Sequence, residues 1–234
     1  MTGVTERRSG GGRPDPRSVA RGPKVRVKTA RKRSTSSVRW LQRQLNDPYV
    51  AAAKREGYRS RAAYKLIEMN EKYGFLKGAR RVVDLGAAPG GWTQVVAELC
   101  PGARIVGIDL LEVAPIPGAD IITMDFMAPE AEERLIAMLD GQADVVLSDM
   151  AATTTGHRQT DHLRTMALVE TALDFAIKVL APDGSFVAKV LRGGTENEIL
   201  TVMKRHFRTV RHVKPPASRP DSTEMYVIAQ GFKG

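Results

Sequence analysis

A chain of 234 residues with 42% apolar side chains can close one full hydrophobic core, and its formal net charge of +10 suits a polyanionic partner. No apolar run reaches the roughly 18 residues of a membrane-spanning helix, and the arginine-rich N-terminus has no apolar secretory segment, which excludes membrane and secreted classes. The single cysteine, Cys100, excludes an intramolecular disulfide, fits a reducing cytoplasm and is expected to be structural.

The charge is unevenly spread. Residues 1–43 hold 13 Lys and Arg against Glu6 and Asp15, whereas the remainder is near neutral, with 23 basic and 24 acidic residues. Residues 1–37 are rich in Gly, Pro, Ser and Arg and are expected to be a disordered basic tail that attracts RNA, followed by one domain over 38–234. SSVRWLQRQL predicts a short helix. Asp47-Pro48 supply the cap and first turn of a helix over YVAAAKRE, closed by Gly57, and Ser60 is expected to cap RAAYKLIEMNEKYG, which leaves at Gly74. Strands and helices then alternate: strand RVVDLG, helix WTQVVAEL, strand RIVGIDL, strand ADIITMD, helix PEAEERLIAML, strand ADVVLSDM. A long helix over about 161–180, the turn APDG, strand SFVAKVL, a helix ENEILTVMKRHF capped by Thr195, and strands TVRHVKP and EMYVIAQGF complete the chain. The pattern predicts an α/β, Rossmann-like fold: a mostly parallel seven-stranded sheet with helices on both faces, in which the last two strands form an antiparallel hairpin.

The most informative stretch is VVDLGAAPGGW, residues 82–92, in which an apolar strand opens through a glycine turn into a helix. Such a loop lets main chain approach a nucleotide-type ligand. The dinucleotide pattern G-x-G-x-x-G would need a glycine where Ala88 stands, so a nucleoside cofactor without a pyrophosphate, S-adenosylmethionine, is the expected ligand.

In open α/β sheets ligands lie beyond the carboxyl ends of the strands. Four acids stand at or near such ends: Asp84, Asp109, Asp125 and Asp149. Asp109 is placed to accept hydrogen bonds from ribose hydroxyls, and Asp125 to meet an adenine. Lys189 interrupts an otherwise apolar strand, where an ammonium needs a carboxylate neighbour; Asp149 and Glu224 are candidates. Lys65 lies one helical turn from Arg61 on the helix before the sheet. His157 and His162 do not share a helical face and have no cysteine near them, so no metal site is expected. Two basic clusters, Lys54, Arg55, Arg59, Arg61 and Lys65, then Lys204, Arg205, Arg208, Arg211, Lys214 and Arg219, are expected to track phosphates.

The segments RSRAAYKL, VVDLGAAPGGW, LSDMA, SFVAKV and STEMY, in this order and spacing, resemble the FtsJ family of ribose 2′-O-methyltransferases, and within it the bacterial branch acting on large-subunit ribosomal RNA. The resemblance covers about residue 34 to the C-terminus. It implies a catalytic tetrad of Lys65, Asp149, Lys189 and Glu224. It also implies S-adenosylmethionine contacts at Gly90, Trp92, Asp109, Asp125 and Asp149, and as substrate a uridine in the A-loop of 23S ribosomal RNA, within the large subunit. A cytoplasmic monomer is expected. The loop after Asp149 reads MAATTTGHRQTDH and departs from the family pattern, and the basic tail is longer. Lys189 is the residue expected to meet the 2′-hydroxyl, either as a neutral base or as a charged group that orients the oxygen and stabilises a developing alkoxide. Methylation of another RNA, or a non-catalytic RNA-binding role in ribosome assembly, are the alternative readings.

Overall fold

The computed structural model describes residues 34–152, 156–191 and 197–234, together with Pro16, Arg26 and Thr29. The expected tail and the cap at Thr195 lie outside these residues, apart from a few positions. The chain divides into two compact units, residues 1–56 and 57–234.

In the first unit, α1 (Thr35–Leu45) starts where Ser34 Oγ accepts from the N–H of Ser37 at 3.3 Å. α2 (Pro48–Glu56) begins on the expected pair: Asp47 Oδ1 accepts from the Tyr49 N–H at 3.0 Å, and Pro48 occupies the first helical position, where a missing N–H costs nothing.

The second unit opens with α3 (Ala62–Tyr73), which leaves through Gly74 in the left-handed region. Ser60 does not cap it. Arg61 stands at the cap position with helical dihedrals and no side-chain cap bond, and Ser60 Oγ is buried without a partner. The first turn is instead closed by main chain, from the Ala63 N–H to the Ser60 carbonyl.

β1 (Arg81–Leu85), α4 (Gly91–Leu99), β2 (Arg104–Asp109), β3 (Ala119–Thr123), α5 (Ala131–Leu139) and β4 (Ala143–Ser148) follow, then α6 (Arg158–Val179), β5 (Leu180–Leu191), α7 (Asn197–His206), β6 (Phe207–Val213) and β7 (Glu224–Phe232). The sheet runs β3-β2-β1-β4-β5-β7-β6. β3 to β5 are parallel, and β7 is antiparallel to both its neighbours, as a hairpin inserted at the sheet's end requires. One element differs from expectation: Ala181–Gly184, expected as a turn, lies within β5, where the register against β4 slips between Ala143 and Val145. Asp183 there has φ of 66°, so the four residues bulge rather than separate two elements.

Side chains of a strand alternate between the two faces of the sheet. Val83, Leu85, Val106, Ile108, Phe186, Ala188, Val190, Val227 and Ala229 face one core with α5, α6 and α7. The alternate set, which includes Asp84, Lys189, Glu224 and Tyr226, falls on the other face, where α3 and α4 pack. Among the described residues no helix is long and apolar enough to cross a membrane.

Candidate active site

The strand order reverses between β1 and β4, so their carboxyl ends open a crevice there. β1 leads into the glycine loop. Gly86 has φ of 80°, and a Cβ on it would come within 2.9 Å of the Met150 nitrogen; Gly90 has φ of 107°, and a Cβ there would come within 2.7 Å of Ile116 Cδ1. Both positions therefore demand glycine for conformation and for space.

Asp109, at the end of β2, receives the Ala88 N–H on Oδ2 at 2.8 Å and the Leu111 N–H on Oδ1 at 2.9 Å. A carboxylate has about four acceptor positions, so Asp109 keeps capacity for a ligand while it shapes the loop. Asp125, past β3, receives the Met127 N–H on Oδ1 at 2.9 Å and is exposed. Leu110, Leu111 and Met127, beside these two acids, are 67%, 68% and 50% exposed. Apolar side chains thus stand exposed beside both carboxylates.

Asp84 does not stand with these two. It lies within β1, fully buried, and its Oδ2 accepts from Thr93 Oγ1 on α4 at 2.6 Å while Oδ1 has no partner. Alternation explains the difference: Leu85 takes the last position of β1, and Asp84 points under α4. Burial lifts its pKa from 3.8 to about 7 against the lowering effect of the Thr93 bond, with Asp149 and Asp109 adding to the rise.

The two lysines and their two acids meet on the α3 side of the sheet. Lys189 Nζ donates to Asp149 Oδ1 at 3.0 Å and to the Asp149 carbonyl at 2.6 Å, and Lys65 Nζ pairs with Glu224 Oε2 at 3.0 Å. Lys65 is 9% exposed and Lys189 7%, so each ammonium exchanges water for a carboxylate. One residue that sequence reasoning missed joins the pairs. Tyr226 OH donates to Asp149 Oδ1 at 2.7 Å and accepts from Lys65 Nζ at 3.2 Å. It sits directly across from Lys189 in the β5–β7 ladder. Its pKa is raised well above 10.0, first by burial and then by Asp149 and Glu224, so it stays a donor. Burial alone would raise Glu224, but Lys65 and Lys189 outweigh it and hold that carboxyl below its usual 4.5.

Trp92, on the first turn of α4, is buried, tilts against the Tyr226 ring with centroids 5.6 Å apart, and donates its indole N–H to the Ala62 carbonyl at 2.8 Å. The glycine loop and the lysine–acid cluster are thus fixed to one another through an aromatic pair.

The profile of the FtsJ-like methyltransferase family matches residues 58–232. The chain belongs to the FtsJ-like methyltransferases. Two similar relatives carry the name ribosomal RNA large subunit methyltransferase E. That of Novosphingobium aromaticivorans is 68% identical over 212 residues, 91% of this chain and 96% of the relative. That of Parvibaculum lavamentivorans is 63% identical over 226 residues, 92% and 89% of the two chains. A crystal structure described as a ribosomal RNA methyltransferase from Plasmodium falciparum superposes with a TM-score of 0.67 at 32% identity, covering 76% of this chain and all 100% of that one. The fold of this methyltransferase is therefore the Rossmann-like one expected.

Few of the cations expected to track phosphates are uncommitted in this methyltransferase. Arg59 and Arg61 donate to main-chain carbonyls, Lys65 to Glu224, Arg208 to Asp183, and Lys214 to the carbonyls of Pro220 and Ser222. Arg211 stands over the Tyr73 ring.

Proposed function

We propose that the protein transfers a methyl group from S-adenosylmethionine to the 2′-hydroxyl of a uridine in the A-loop of 23S ribosomal RNA, within the large subunit. The observation that carries this reading is the cluster of Lys65, Asp149, Lys189 and Glu224 beside the glycine loop, held by Tyr226. High identity to relatives named for large-subunit ribosomal RNA supports the choice of substrate.

The donor's features suit the residues present. Asp109 retains acceptor positions for ribose hydroxyls, Asp125 Oδ2 has no partner among the described residues, and the exposed Leu110, Leu111 and Met127 offer apolar surface to an adenine. With its indole committed to Ala62, Trp92 offers a ligand its main chain beside Gly90. S-adenosylmethionine, when bound, supplies a methyl group on a sulfonium sulfur.

Transfer to a hydroxyl needs the oxygen held in place, and orientation of this kind supplies up to roughly 7–11 kcal/mol in favourable systems. Lys189 provides the orientation. Two of its three Nζ positions are bound to Asp149, which leaves one for the ribose oxygen. In the charged form that position is a third N–H, which holds the oxygen and stabilises the alkoxide; in the neutral form it is the lone pair that takes the proton. Asp149 is itself held on Oδ1 by Tyr226, which fixes the group that Lys189 is bound to. Lys65, bound between Glu224 and Tyr226, keeps that hydroxyl aimed at Asp149.

The test is transfer of labelled methyl from S-adenosylmethionine to large ribosomal subunits that lack the modification, followed by digestion to nucleosides. Label in 2′-O-methyluridine from a single A-loop position is expected. Label in a methylated base, or no label on RNA, would overturn the proposal.

A further inference from the structure

Arg59 stands on the turn that leads into α3. Its Nη1 donates to the Ala114 carbonyl at 2.6 Å and the Pro89 carbonyl at 3.3 Å, and its Nη2 to the Pro115 carbonyl at 2.8 Å. Its own N–H donates to Gln94 Oε1 at 2.8 Å, and Gln94 Nε2 donates to the Gly57 carbonyl at 3.0 Å, so the residue is anchored on α4 as well.

These carbonyls belong to two different loops. Pro89 lies in the glycine loop after β1, and Ala114 and Pro115 lie in the loop after β2, which begins just past Asp109. Among the described residues, 111–115 make no main-chain to main-chain hydrogen bond, so the second loop has little order of its own. The next residue, Ile116, lays its Cδ1 over Gly90, and a Cβ on Gly90 would also come within 2.9 Å of Arg59 Nη1. The second loop is folded back on the first; Asp109 joins the two at their base, and Arg59 fastens the far part, from Pro89 to Ala114 and Pro115. The planar guanidinium holds these donors in a fixed fork on two separate nitrogens, whereas a lysine directs all its N–H groups from a single nitrogen and cannot occupy both positions at once.

We infer that Arg59 is a positioning residue for the methyl donor, setting donor affinity by holding the two loops of the donor cleft in their binding arrangement. The inference rests on the proposal that this cleft takes S-adenosylmethionine. If the loops separate, only a fraction of molecules is competent, and apparent affinity falls by that fraction. The competing role for a basic side chain on this rim is a phosphate contact to RNA.

The two roles part in Arg59→Lys, which keeps the charge and loses the fork. Calorimetric binding of S-adenosylmethionine and of S-adenosylhomocysteine should weaken by about tenfold for both, because the contacts Arg59 makes are to the loops. The donor KM should rise in step while kcat at saturating donor stays within about twofold, and amide exchange at Ala88 and Leu111, the two N–H groups held by Asp109, should quicken. RNA affinity and its salt slope should not move. Arg59→Ala should behave alike with a larger loss, and where it fails to fold Arg59→Lys carries the test. Wild-type donor affinity in folded Arg59→Lys, or a salt slope reduced by about one in Arg59→Ala with donor affinity intact, would overturn the inference. A wild-type protein that binds neither nucleoside would overturn the reading of the cleft itself, and this role with it.

Discussion

Tyr226 makes one network of two ion pairs that its neighbours alone would leave separate. Replacing it with Phe keeps the ring against Trp92 and removes only the hydroxyl, so Lys65 and Asp149 lose their common partner. Turnover should fall by about 10- to 100-fold, in line with the loss of bonds to charged groups, while donor affinity measured by calorimetry stays within about twofold. Undiminished turnover would show the hydroxyl to be packing only. Glu224 gives a pH signature. Its folded pKa lies below the usual 4.5, so its contribution to stability is present above that value and is lost as pH falls through the folded pKa. Acid melting of Glu224→Gln should show a shallower loss in that window than wild type. Lys189 was legible in the sequence with Asp149 and Glu224 as candidate partners, because a lysine in an apolar strand demands acids; Lys65 and the four as a set came from the resemblance to the FtsJ family. Tyr226 left a fainter signal. It stands two residues from Glu224 and so shares its face, but the register that sets it opposite Lys189 is a property of the hairpin, which local pattern does not fix.

At the scale of elements, β1 and α4 are joined by a buried acid. The folded pKa of Asp84 is raised from 3.8 to about 7, so its favourable contribution is fully present below about 3.8 and is lost as pH rises to about 7. This is opposite in sign to Glu224. The span corresponds to roughly 4 kcal/mol at about 1.36 kcal/mol per unit. Asp84→Asn keeps an acceptor for Thr93 and cannot ionise. The difference in melting temperature between variant and wild type should therefore move in the variant's favour by about 10 °C between pH 4 and pH 8. A difference that does not change with pH would show that Asp84 titrates normally. The sequence placed this residue at a strand end with the other acids; a shift of one position along β1 was enough to turn it from the crevice to the α4 face. Most other elements were legible because periodicity and turn residues agreed. The bulge in β5 was not: APDG has turn chemistry, and only pairing of Leu180 with Ala143 on β4 carries the strand across it.

For the whole molecule, basic charge is concentrated ahead of the residues that form the candidate site. Residues 1–33 carry 11 Lys and Arg, while several cations of the second unit are already spent on carbonyls and acids. Deleting 1–33 should weaken RNA binding and flatten its salt dependence without changing donor affinity; an unchanged slope would make the arm a bystander. The proposed transfer turns on Lys189. Single-turnover methyl transfer to large-subunit RNA, measured with saturating donor beside calorimetric donor affinity, compares wild type with Lys189→Ala. Donor affinity should stay within about twofold while the rate falls by about a thousandfold or more, as for loss of a group acting at the reacting oxygen. A rate within tenfold of wild type at equal donor affinity would contradict it.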